Sequence, residues 1–256
     1  MDFTGKVALV TGGGNGIGRA TSVAFARYGA KVVVVDRDGA GAEATAGIIR
    51  QNGGEATAVT ADVTRSEDVK AYVKAALTTY GRIDCFFNNA GIEGRLAPTA
   101  EYDEAVFDAV IGVNVKGVFL GLRHVLPEMI RQGSGAVVNT ASVAGLVGWG
   151  GTVYGATKGA VIQLTRGVAI EVAPFGIRVN AICPAAMPLT GFMAAGGLKV
   201  DAEQQAAIAE SVGGQHPLGR AIMAEDCAEA ALYLVSDASR NVTGVALPVD
   251  GGFVAR

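Results

Sequence analysis

Tyr154 and Lys158 lie four residues apart in the segment YGATK, and Ser142 precedes Tyr154 by twelve residues. Four residues are about one turn of a helix, so the phenol and the ammonium would project from the same helix face. A cation close to a phenol favours the phenolate and should lower the phenol pKa from its ordinary value of about 10. Tyr154 is therefore a candidate general acid/base, and Ser142 is a candidate hydrogen-bond donor to a reacting oxygen.

The tyrosine and lysine pair is weak evidence by itself, because this spacing also occurs by chance on ordinary helices. The position of Ser142 adds to it. Ser142 follows the apolar run GAVVNTA, which is typical of a buried strand. The serine would then lie at the carboxyl end of a strand, where open α/β sheets bind their ligands.

A glycine-rich segment, TGGGNGIG at 11–18, follows a short apolar run and precedes a pattern of helical periodicity. Gly12 would permit a tight turn, Gly16 would let the backbone approach a pyrophosphate, and Gly18 would let the helix pack close to the strand. The phosphates would lie at the helix N-terminus, near free N–H groups and the positive end of the dipole. The spacing is G-x-x-x-G-x-G rather than the strict G-x-G-x-x-G. This context predicts a dinucleotide site.

The next apolar run, KVVVVD, ends at Asp36, eighteen residues after Gly18. A carboxylate at this position would bind the adenosine ribose hydroxyls and repel a 2′-phosphate, and Asn15 brings no cation to the glycine loop. Both observations favour NAD over NADP. Arg37 is the counter-evidence, since a guanidinium could bind a phosphate through two hydrogen bonds. Successive strand residues point to opposite faces, however, so we expect Arg37 to point away from the site.

Taken together, the motifs resemble those of the classical short-chain dehydrogenases/reductases. The matching positions run along most of the chain: TGGGNGIG at 11–18, Asp36, Asp62, Val63, NNAG at 88–91, Asn114, Ser142, YGATK at 154–158 and Pro184. The resemblance implies a catalytic tetrad of Asn114, Ser142, Tyr154 and Lys158. It also implies that Lys158 holds the nicotinamide ribose and that Asn114 keeps a water molecule in a proton relay.

The resemblance further implies a set of cofactor contacts. Asp62 and Val63 would contact the adenine, and Met187 would contact the carboxamide through its backbone. The full expected set is Gly12, Asn15, Gly16, Ile17, Gly18, Asp36, Arg37, Asp62, Val63, Asn88, Ala90, Gly91, Tyr154, Lys158, Pro184 and Met187. One motif departs from the family pattern: Ala185 stands where glycine usually follows the proline, and Thr190 lies six residues beyond Pro184 instead of five. Thr190 is therefore a doubtful equivalent of the family threonine.

Strand and helix patterns alternate along the chain without a polar linker. They predict an α/β fold, with one Rossmann-type domain over 1–256 in which a doubly wound parallel sheet of about seven strands carries helices on both faces. We expect strands at 6–10, 31–36, 55–60, 83–88, 135–141, 178–182 and 245–249. The segment 185–214, rich in Ala, Gly and Met, is a candidate substrate lid, with a plain surface insertion as the alternative.

Composition narrows the classes of function. A net charge of −3 provides no basic patch for nucleic acid. We expect no signal peptide and no membrane span. Cys85, Cys183 and Cys227 have no paired spacing, which suits buried thiols in a reducing cytosol. With His124 expected in the core or an interface and His216 at the surface, no metal site is predicted. The resemblance implies a homotetramer.

The expected substrate pocket comprises Gly94, Arg95, Leu96, 143–149 and 187–193. Its apolar wall would be Leu146, Trp149, Leu189, Phe192 and Met193, suited to a neutral ring or a medium-sized secondary alcohol. Glu93 and Arg95 complicate this picture, because Arg95 could bind a carboxylate or phosphate. The resulting hypothesis is an NAD(H)-dependent oxidoreductase that interconverts a neutral, largely apolar secondary alcohol and its ketone. The alternatives are a 3-oxoacyl-thioester (acyl-carrier-protein) reductase using NADPH and a non-catalytic dinucleotide sensor.

Overall fold

The computed structural model describes residues 1–188 and 202–255. In this part of the chain, seven strands form one sheet: β1 (Val7–Thr11), β2 (Lys31–Asp36), β3 (Ala56–Thr60), β4 (Cys85–Asn88), β5 (Gly135–Thr140), β6 (Ile177–Pro184) and β7 (Ala246–Val249). The order is β3-β2-β1-β4-β5-β6-β7 and every pairing is parallel. The predicted Rossmann-type sheet is confirmed: β2 has the predicted bounds, and the bounds of the other strands differ from the sequence expectation by one or two residues.

Helices connect the strands and cover both faces of the sheet. Within the described residues they are α1 (Gly16–Arg27), α2 (Gly39–Gln51), α3 (Ser66–Tyr80), α4 (Glu104–Ile111), α5 (Val118–Gln132), α6 (Thr152–Val172), α7 (Ala202–Gly213) and α8 (Ala224–Val235). A π-helical turn, Gly112–Gly117, joins α4 to α5. Local chemistry fixes several ends: the Asp38 carboxylate caps α2 by accepting a hydrogen bond from the Ala40 N–H, and Gly81, at φ +80°, ends α3.

Alternate residues of each strand supply two separate cores. Leu9 and Val33 pack with Val69 of α3 and Val125 of α5 on one face of the sheet. Val10 and Val34, one residue further along each strand, pack on the other face with Phe25 of α1 and Leu232 of α8. The strands therefore read as unbroken apolar runs, as expected for a parallel sheet that is buried on both sides.

The strand order reverses between β1 and β4. The chain leaves β1 toward β2 on one side and returns to place β4 on the other side. The loops after β1 and β4 consequently separate at the carboxyl edge of the sheet and leave a crevice. Open α/β sheets bind their ligands at such a topological switch point.

One helical stretch bears on the expectation that no segment spans a membrane. Glu104–Gln132, which joins α4, the π turn and α5, is long and apolar enough to cross a membrane by length and composition. Core helices of soluble proteins pass the same test, and its residues Leu122, Val125 and Met129 are buried in one of the two cores. Its apolar character is thus accounted for in part by packing against the sheet.

Candidate active site

A cavity of about 510 Å³ opens at the carboxyl ends of the strands. Fifteen of the residues predicted to be catalytic or to bind the cofactor border it, namely Gly12, Asn15, Gly16, Ile17, Asp36, Arg37, Asp62, Val63, Ala90, Gly91, Ser142, Tyr154, Lys158, Pro184 and Met187. The dinucleotide motif and the proton-transfer residues therefore share one cavity. Gly18, Asn88 and Asn114, which were also predicted, lie behind its surface.

The glycine turn between β1 and α1 has the geometry that its spacing requires. Gly12 has φ +64°, and a Cβ there would lie 3.0 Å from the Ala90 Cα. A Cβ on Gly18 would lie 1.9 Å from the Gly12 carbonyl oxygen, so only glycine lets α1 pack this close to the turn. At Gly16, in contrast, φ is +48° and an added Cβ would meet nothing within 4 Å. The backbone at Gly16 thus faces open space.

The N-terminus of α1 fits an anionic group. Asn15 occupies the N-cap position but makes no side-chain capping hydrogen bond. The first N–H groups of the helix are therefore not satisfied by the cap, and they lie beside the open space over Gly16. The Arg19 guanidinium holds the turn from behind by donating to the Gly14 carbonyl and to the Thr45 hydroxyl. These residues fit the pyrophosphate of a dinucleotide.

Asp36 ends β2 with its carboxylate directed at the glycine turn. One carboxylate oxygen accepts a hydrogen bond from the Gly14 N–H at 2.8 Å, and the other accepts from the Asp38 N–H at 2.9 Å. Arg37, which was expected to point away from the site, also borders the cavity. The reason is that β2 ends at Asp36, and strand alternation no longer governs the residue that follows.

Asp62 and Val63 border the cavity after β3, as the resemblance implied. Burial alone would raise the pKa of Asp62, but hydrogen bonds from the Thr64 N–H and hydroxyl outweigh it. The positive charges of Arg37 and Arg65 act in the same direction, and the pKa of Asp62 is lowered. A carboxylate therefore faces the cavity here at neutral pH.

In the NNAG segment, the asparagine that borders the cavity is not the one predicted from the sequence. Asn88 is buried, and its amide donates to the Val118 carbonyl at 3.0 Å and to the Asn139 side chain at 3.1 Å, so it does not line the path expected for the cofactor. Asn89, which the sequence did not single out, borders the cavity and donates to the Thr11 carbonyl at 3.1 Å. Because β4 ends at Asn88, the residues that border the cavity begin with Asn89.

Ser142, Tyr154 and Lys158 converge on one part of the cavity. Ser142 follows β5, accepts a hydrogen bond from the Ala144 N–H at 3.1 Å and lies within hydrogen-bonding reach of the Tyr154 phenol. The Lys158 amine lies 5.5 Å from the centre of the Tyr154 ring. It donates to the Thr140 carbonyl at 2.8 Å, a contact that the sequence did not predict. The helix α6 therefore presents the two side chains one turn apart, as their spacing requires.

The pKa of Tyr154 differs from the sequence expectation. Although Tyr154 borders the cavity, burial raises its pKa to about 12, and the negative charge of Glu93 acts in the same direction. The hydrogen bond with Ser142 opposes this rise without cancelling it. Burial also lowers the pKa of Lys158 to about 8. For the chain by itself, the pKa of the phenol is therefore raised and not lowered as expected, because desolvation of the phenolate outweighs the hydrogen bond with Ser142.

Asn114 lies in the π turn, and its side chain is fully buried and fully hydrogen-bonded. Its oxygen accepts from the Ile92 N–H at 2.8 Å, and its nitrogen donates to the Ile92 carbonyl at 2.8 Å and to the Thr157 hydroxyl at 3.1 Å. Asn114 thus ties the segment after NNAG to α6. The structure brings it behind the other three members of the predicted tetrad instead of into the cavity.

The predicted substrate pocket is reproduced only in part. Leu96, Trp149 and Met187 border the cavity, as does Glu93, whereas Gly94, Arg95 and Leu146 are absent from its lining. Leu189, Thr190, Phe192 and Met193 lie outside the described residues. The cavity is also bordered by residues that the sequence did not predict: Val35, Ala61, Ile92, Val113, Thr140 and Ala141. Ala185, Ala186 and Val212, which lie in the segment predicted as a substrate lid, border it as well. Ala61 and Ala141 directly follow a strand and could have been found from strand ends, whereas Val113 carries no such signal.

Ala185 and His216, both near this pocket, were also singled out from the sequence. At the position where the family usually has glycine, the Ala185 N–H donates to the Val249 carbonyl at 3.2 Å, so the pairing of β6 with β7 continues beyond Pro184. His216, expected at the surface, is 3% exposed, and the expectation is wrong. The ring packs against Phe253 near the C-terminus, a contact too distant in sequence to predict. All three cysteines are free and buried, as expected.

Comparison with known proteins agrees with this geometry. The model of a family described as enoyl-(acyl carrier protein) reductase matches residues 12–254. The chain belongs to the classical short-chain dehydrogenase/reductase family, and it is an oxidoreductase.

Individual relatives span nearly the whole chain. Levodione reductase of Leifsonia aquatica is 44% identical over 98% of this chain and 94% of its own length. Among solved structures, a levodione reductase has a TM-score of 0.91 at 42% identity and covers 99% of both chains. An NAD+-bound xylitol dehydrogenase has a TM-score of 0.89 at 36% identity, covering 98% of this chain and 100% of its own. A 3-ketoacyl-(acyl-carrier-protein) reductase from Brucella melitensis, complexed with NADH, has a TM-score of 0.87 at 40% identity, covering 98% and 99%.

Proposed function

We propose that the protein is an NAD(H)-dependent oxidoreductase that interconverts a neutral, largely apolar secondary alcohol and its ketone. The observation that carries the proposal is the convergence of Ser142, Tyr154 and Lys158 in the same cavity as Asp36 and the glycine turn. Similarity to a levodione reductase and to a cyclohexanol dehydrogenase supports an alcohol/ketone reaction.

The bound nicotinamide would supply or accept the hydride at the carbinol carbon. Tyr154 exchanges the proton with the substrate oxygen, donating it during ketone reduction and removing it during alcohol oxidation. Ser142 donates a hydrogen bond to that oxygen as negative charge develops on it. Lys158, fixed by the Thr140 carbonyl, stabilises the Tyr154 phenolate and holds the nicotinamide ribose.

The remaining residues position these three. Asn114 fixes Ile92 against Thr157 and thus holds one side of the cavity to α6. Pro184 and Met187 border the part of the cavity assigned to the carboxamide.

NAD is the proposed cofactor because of Asp36. Its carboxylate is held toward the glycine turn by two backbone N–H groups, and in that position it accepts hydrogen bonds from ribose hydroxyls and repels a 2′-phosphate. Two solved relatives are bound to NAD+ or NADH, which supports the same choice.

The substrate class follows from the walls of the pocket. Ile92, Leu96, Trp149, Met187 and Val212 are apolar and border the cavity, which suits a neutral ring or a medium-sized aliphatic alcohol. Glu93, which is acidic, also borders the cavity. Burial of an apolar substrate against these side chains contributes about 25 cal/mol per Å² of covered surface.

A second candidate function is a 3-oxoacyl-thioester reductase that uses NADPH. The observation that favours it is the position of Arg37, which borders the cavity beside Asp36 and is able to bind a 2′-phosphate. The description of the matching family model and the similarity to a 3-ketoacyl-(acyl-carrier-protein) reductase point in the same direction.

A paired titration with NADH and NADPH, followed by a spectrophotometric screen, distinguishes the two candidates. NADH preference, with turnover of cyclic ketones and no turnover of acetoacetyl thioesters, supports the leading proposal. Preference for NADPH together with thioester turnover supports the second candidate instead.

The Asp36→Asn variant should bind NADH with a smaller preference over NADPH, because it removes the charge that repels a 2′-phosphate. If Tyr154→Phe left turnover unchanged, the enzymatic role of Tyr154 would be excluded.

The proposal extends to the organisation of the chain. We take residues 1–256 as one domain. Of the candidate lid 185–214, residues 189–201 lie outside the described part of the chain, and Val212 of α7 borders the cavity. Exposed apolar side chains on α4, α5 and α6, including Phe107, Phe119 and Ile170, support a homotetramer built on these helices.

Three buried free thiols suit a reducing compartment such as the cytoplasm.

A further inference from the structure

Three aromatic rings in a row extend outward from one wall of the cavity. Trp149, which borders the cavity, meets the edge of Phe253 with ring centroids 5.6 Å apart and an interplanar angle of 66°. Phe253 in turn packs edge-on against His216, with centroids 6.3 Å apart and an angle of 82°. Trp149 belongs to the segment that follows Ser142, whereas Phe253 lies near the C-terminus. The row therefore joins the catalytic segment to a distant part of the chain.

The backbone on both sides of Trp149 consists of glycines, which do not fix the orientation of the indole. The residue is flanked by Gly148 on one side and by Gly150 and Gly151 on the other, and the latter two have φ of +77° and +91°. Glycine has more conformational freedom than any other residue, so the backbone by itself does not fix the direction of the indole. The side chain is 37% exposed. Its orientation thus depends on the ring that it packs against.

Phe253, in contrast, is held firmly from its own backbone. It begins a short 3-10 turn, Phe253–Ala255. We call this turn and the preceding Asp250–Gly252 the C-terminal hook. The Asp250 carboxylate is buried and accepts hydrogen bonds from the Gly252 and Val254 N–H groups, both at 2.9 Å. The Phe253 N–H donates to the Asp250 carbonyl at 3.1 Å. A single carboxylate therefore fixes the turn on both sides of the aromatic residue.

The hook is also fastened to the segment that follows α7. The Leu218 N–H donates to the Gly251 carbonyl at 3.0 Å. Gly251 has φ +57°, and a Cβ there would lie 3.0 Å from the His216 Cβ, so the two backbones are in close contact. His216 Nδ1 lies 3.1 Å from the Arg220 carbonyl oxygen, while Nε2 is buried without a hydrogen-bond partner among the described residues. The imidazole thus offers Phe253 a packing surface.

From this arrangement we infer that Phe253 is a positioning residue for substrate selection. It acts through Trp149: the rigid hook presses Phe253 against the indole, and the indole forms the outer wall of the cavity. The wall then limits the size of the group that a substrate carries beside its reacting carbon. This inference rests on the proposed alcohol/ketone reaction. An edge-to-face aromatic pair is worth a factor of roughly 2 to 10 in an equilibrium constant, which sets the size of the expected effect.

The kinetic test compares a small and a bulky ketone with NADH as cofactor. The ratio of kcat/KM for 2,2,6-trimethylcyclohexanone to that for cyclohexanone should rise about 2- to 10-fold in Phe253→Ala, because the wall is no longer held in place. The NADH dissociation constant should stay unchanged. Phe253→Leu keeps the apolar volume and should give an intermediate ratio. Val254→Ala lies in the same turn outside the aromatic row, and it should leave the ratio at the wild-type value.

A double variant separates action through Trp149 from a general loosening of the fold. Trp149→Ala should raise the ratio by itself, and adding Phe253→Ala to it should cause no further change. An unchanged ratio in Phe253→Ala would overturn the inference. So would an equal effect of Phe253→Ala with and without Trp149.

Fluorescence provides a measurement that does not require turnover. Trp149 is the only tryptophan in the sequence, so emission excited at the indole band reports on this residue alone. Acrylamide quenching should rise about twofold in Phe253→Ala and stay unchanged in Val254→Ala. Wild-type quenching in Phe253→Ala would contradict the contact. If the wild-type protein turned over neither ketone while quenching rose as expected, the proposed reaction would fail and the contact between hook and wall would stand.

Discussion

At the scale of single residues, the proton chemistry rests on two buried groups whose pKa values move in opposite directions. Burial raises the pKa of Tyr154 to about 12 and lowers the pKa of Lys158 to about 8. Below pH 8 the lysine is therefore charged and able to favour the phenolate. A positively charged nicotinamide ring would act on the phenol in the same direction as the lysine.

This balance predicts how the pH profile of alcohol oxidation responds to Lys158→Met. Oxidation requires the phenolate form of Tyr154, so kcat/KM should increase with pH in the wild-type protein. Removing the cation should move the apparent pKa of this rise upward by roughly 1 to 3 units. Lys158→Arg keeps a cation and should show a smaller displacement. A profile of Lys158→Met that coincided with wild type would show that the lysine charge does not act on the phenol.

A second prediction at this scale concerns Tyr72, which lies in the core between α3 and the sheet. Its hydroxyl is buried without a hydrogen-bond partner among the described residues. Tyr72→Phe removes this unsatisfied group and should raise the free energy of unfolding by about 1 kcal/mol in urea denaturation at pH 7. The matched control is Tyr80→Phe, which loses a hydrogen bond of 3.0 Å with the Thr57 hydroxyl and should be neutral or destabilised.

The difference in unfolding free energy between Tyr72→Phe and wild type should also depend on pH, and the sign of this dependence follows from the pKa of Tyr72. Burial raises the pKa of Tyr72 in the folded state, so its neutral form is favoured by folding. The contribution is complete below the unfolded pKa of about 10 and is lost as the pH rises above it. The stability advantage of Tyr72→Phe over wild type should therefore widen between pH 9 and pH 11. A constant difference over that range would show that Tyr72 does not titrate on unfolding.

At the scale of elements, the π turn Gly112–Gly117 connects the sheet edge to α6 through Asn114. Asn114→Ala leaves the N–H and the carbonyl of Ile92 without their partners, and it should destabilise the fold by about 2 kcal/mol. The rate constant kcat should fall at least about tenfold because the cavity wall is no longer fixed relative to Tyr154. Urea unfolding and single-turnover kinetics measure the two effects.

Asn114→Asp is the matched control for this prediction. It keeps an oxygen that accepts from the Ile92 N–H and loses the donor to the Ile92 carbonyl and to Thr157. We expect an intermediate stability and an intermediate kcat. Wild-type kcat in both variants would mean that the π turn does not position the active site.

Elements were also the scale at which the sequence was most informative. Runs such as KVVVVD are long, apolar and bounded by Gly or Asp, and a strand buried on both faces needs that pattern; the structure has β2 at the predicted bounds. The glycine turn could be predicted because the positive φ of Gly12 and the contact of Gly18 with the Gly12 carbonyl oxygen involve only residues close in sequence.

The features that escaped prediction depend on contacts between distant segments. Whether Asn88 or Asn89 reaches the cavity depends on where β4 ends, and whether Arg37 does so depends on where β2 ends. His216 is buried because the C-terminal hook packs over it. The pKa of Tyr154 depends on the depth of the cavity, which no local pattern encodes.

At the scale of the whole molecule, the exposed apolar side chains bear on assembly. Ile170 on α6 is 79% exposed, and Phe119 on the neighbouring α5 is also exposed. If these helices form the contacts of a homotetramer, Ile170→Glu should shift the sedimentation coefficient toward that of dimers or monomers. Ile48→Glu, at an exposed position on α2, is the matched control and should sediment as wild type. A monomeric wild-type protein would contradict the proposed assembly.

The sheet order also has a consequence for how the chain folds as it is synthesised. β3, β2 and β1 are neighbours in that order, and β4 pairs with the other side of β1; β5, β6 and β7 then each join beside the strand made before them. At roughly 5 to 20 residues per second, β1 therefore keeps one edge open for several seconds until β4 emerges. Growth of the sheet afterwards follows the order of translation, and β7, which carries the C-terminal hook, is the last strand to be added.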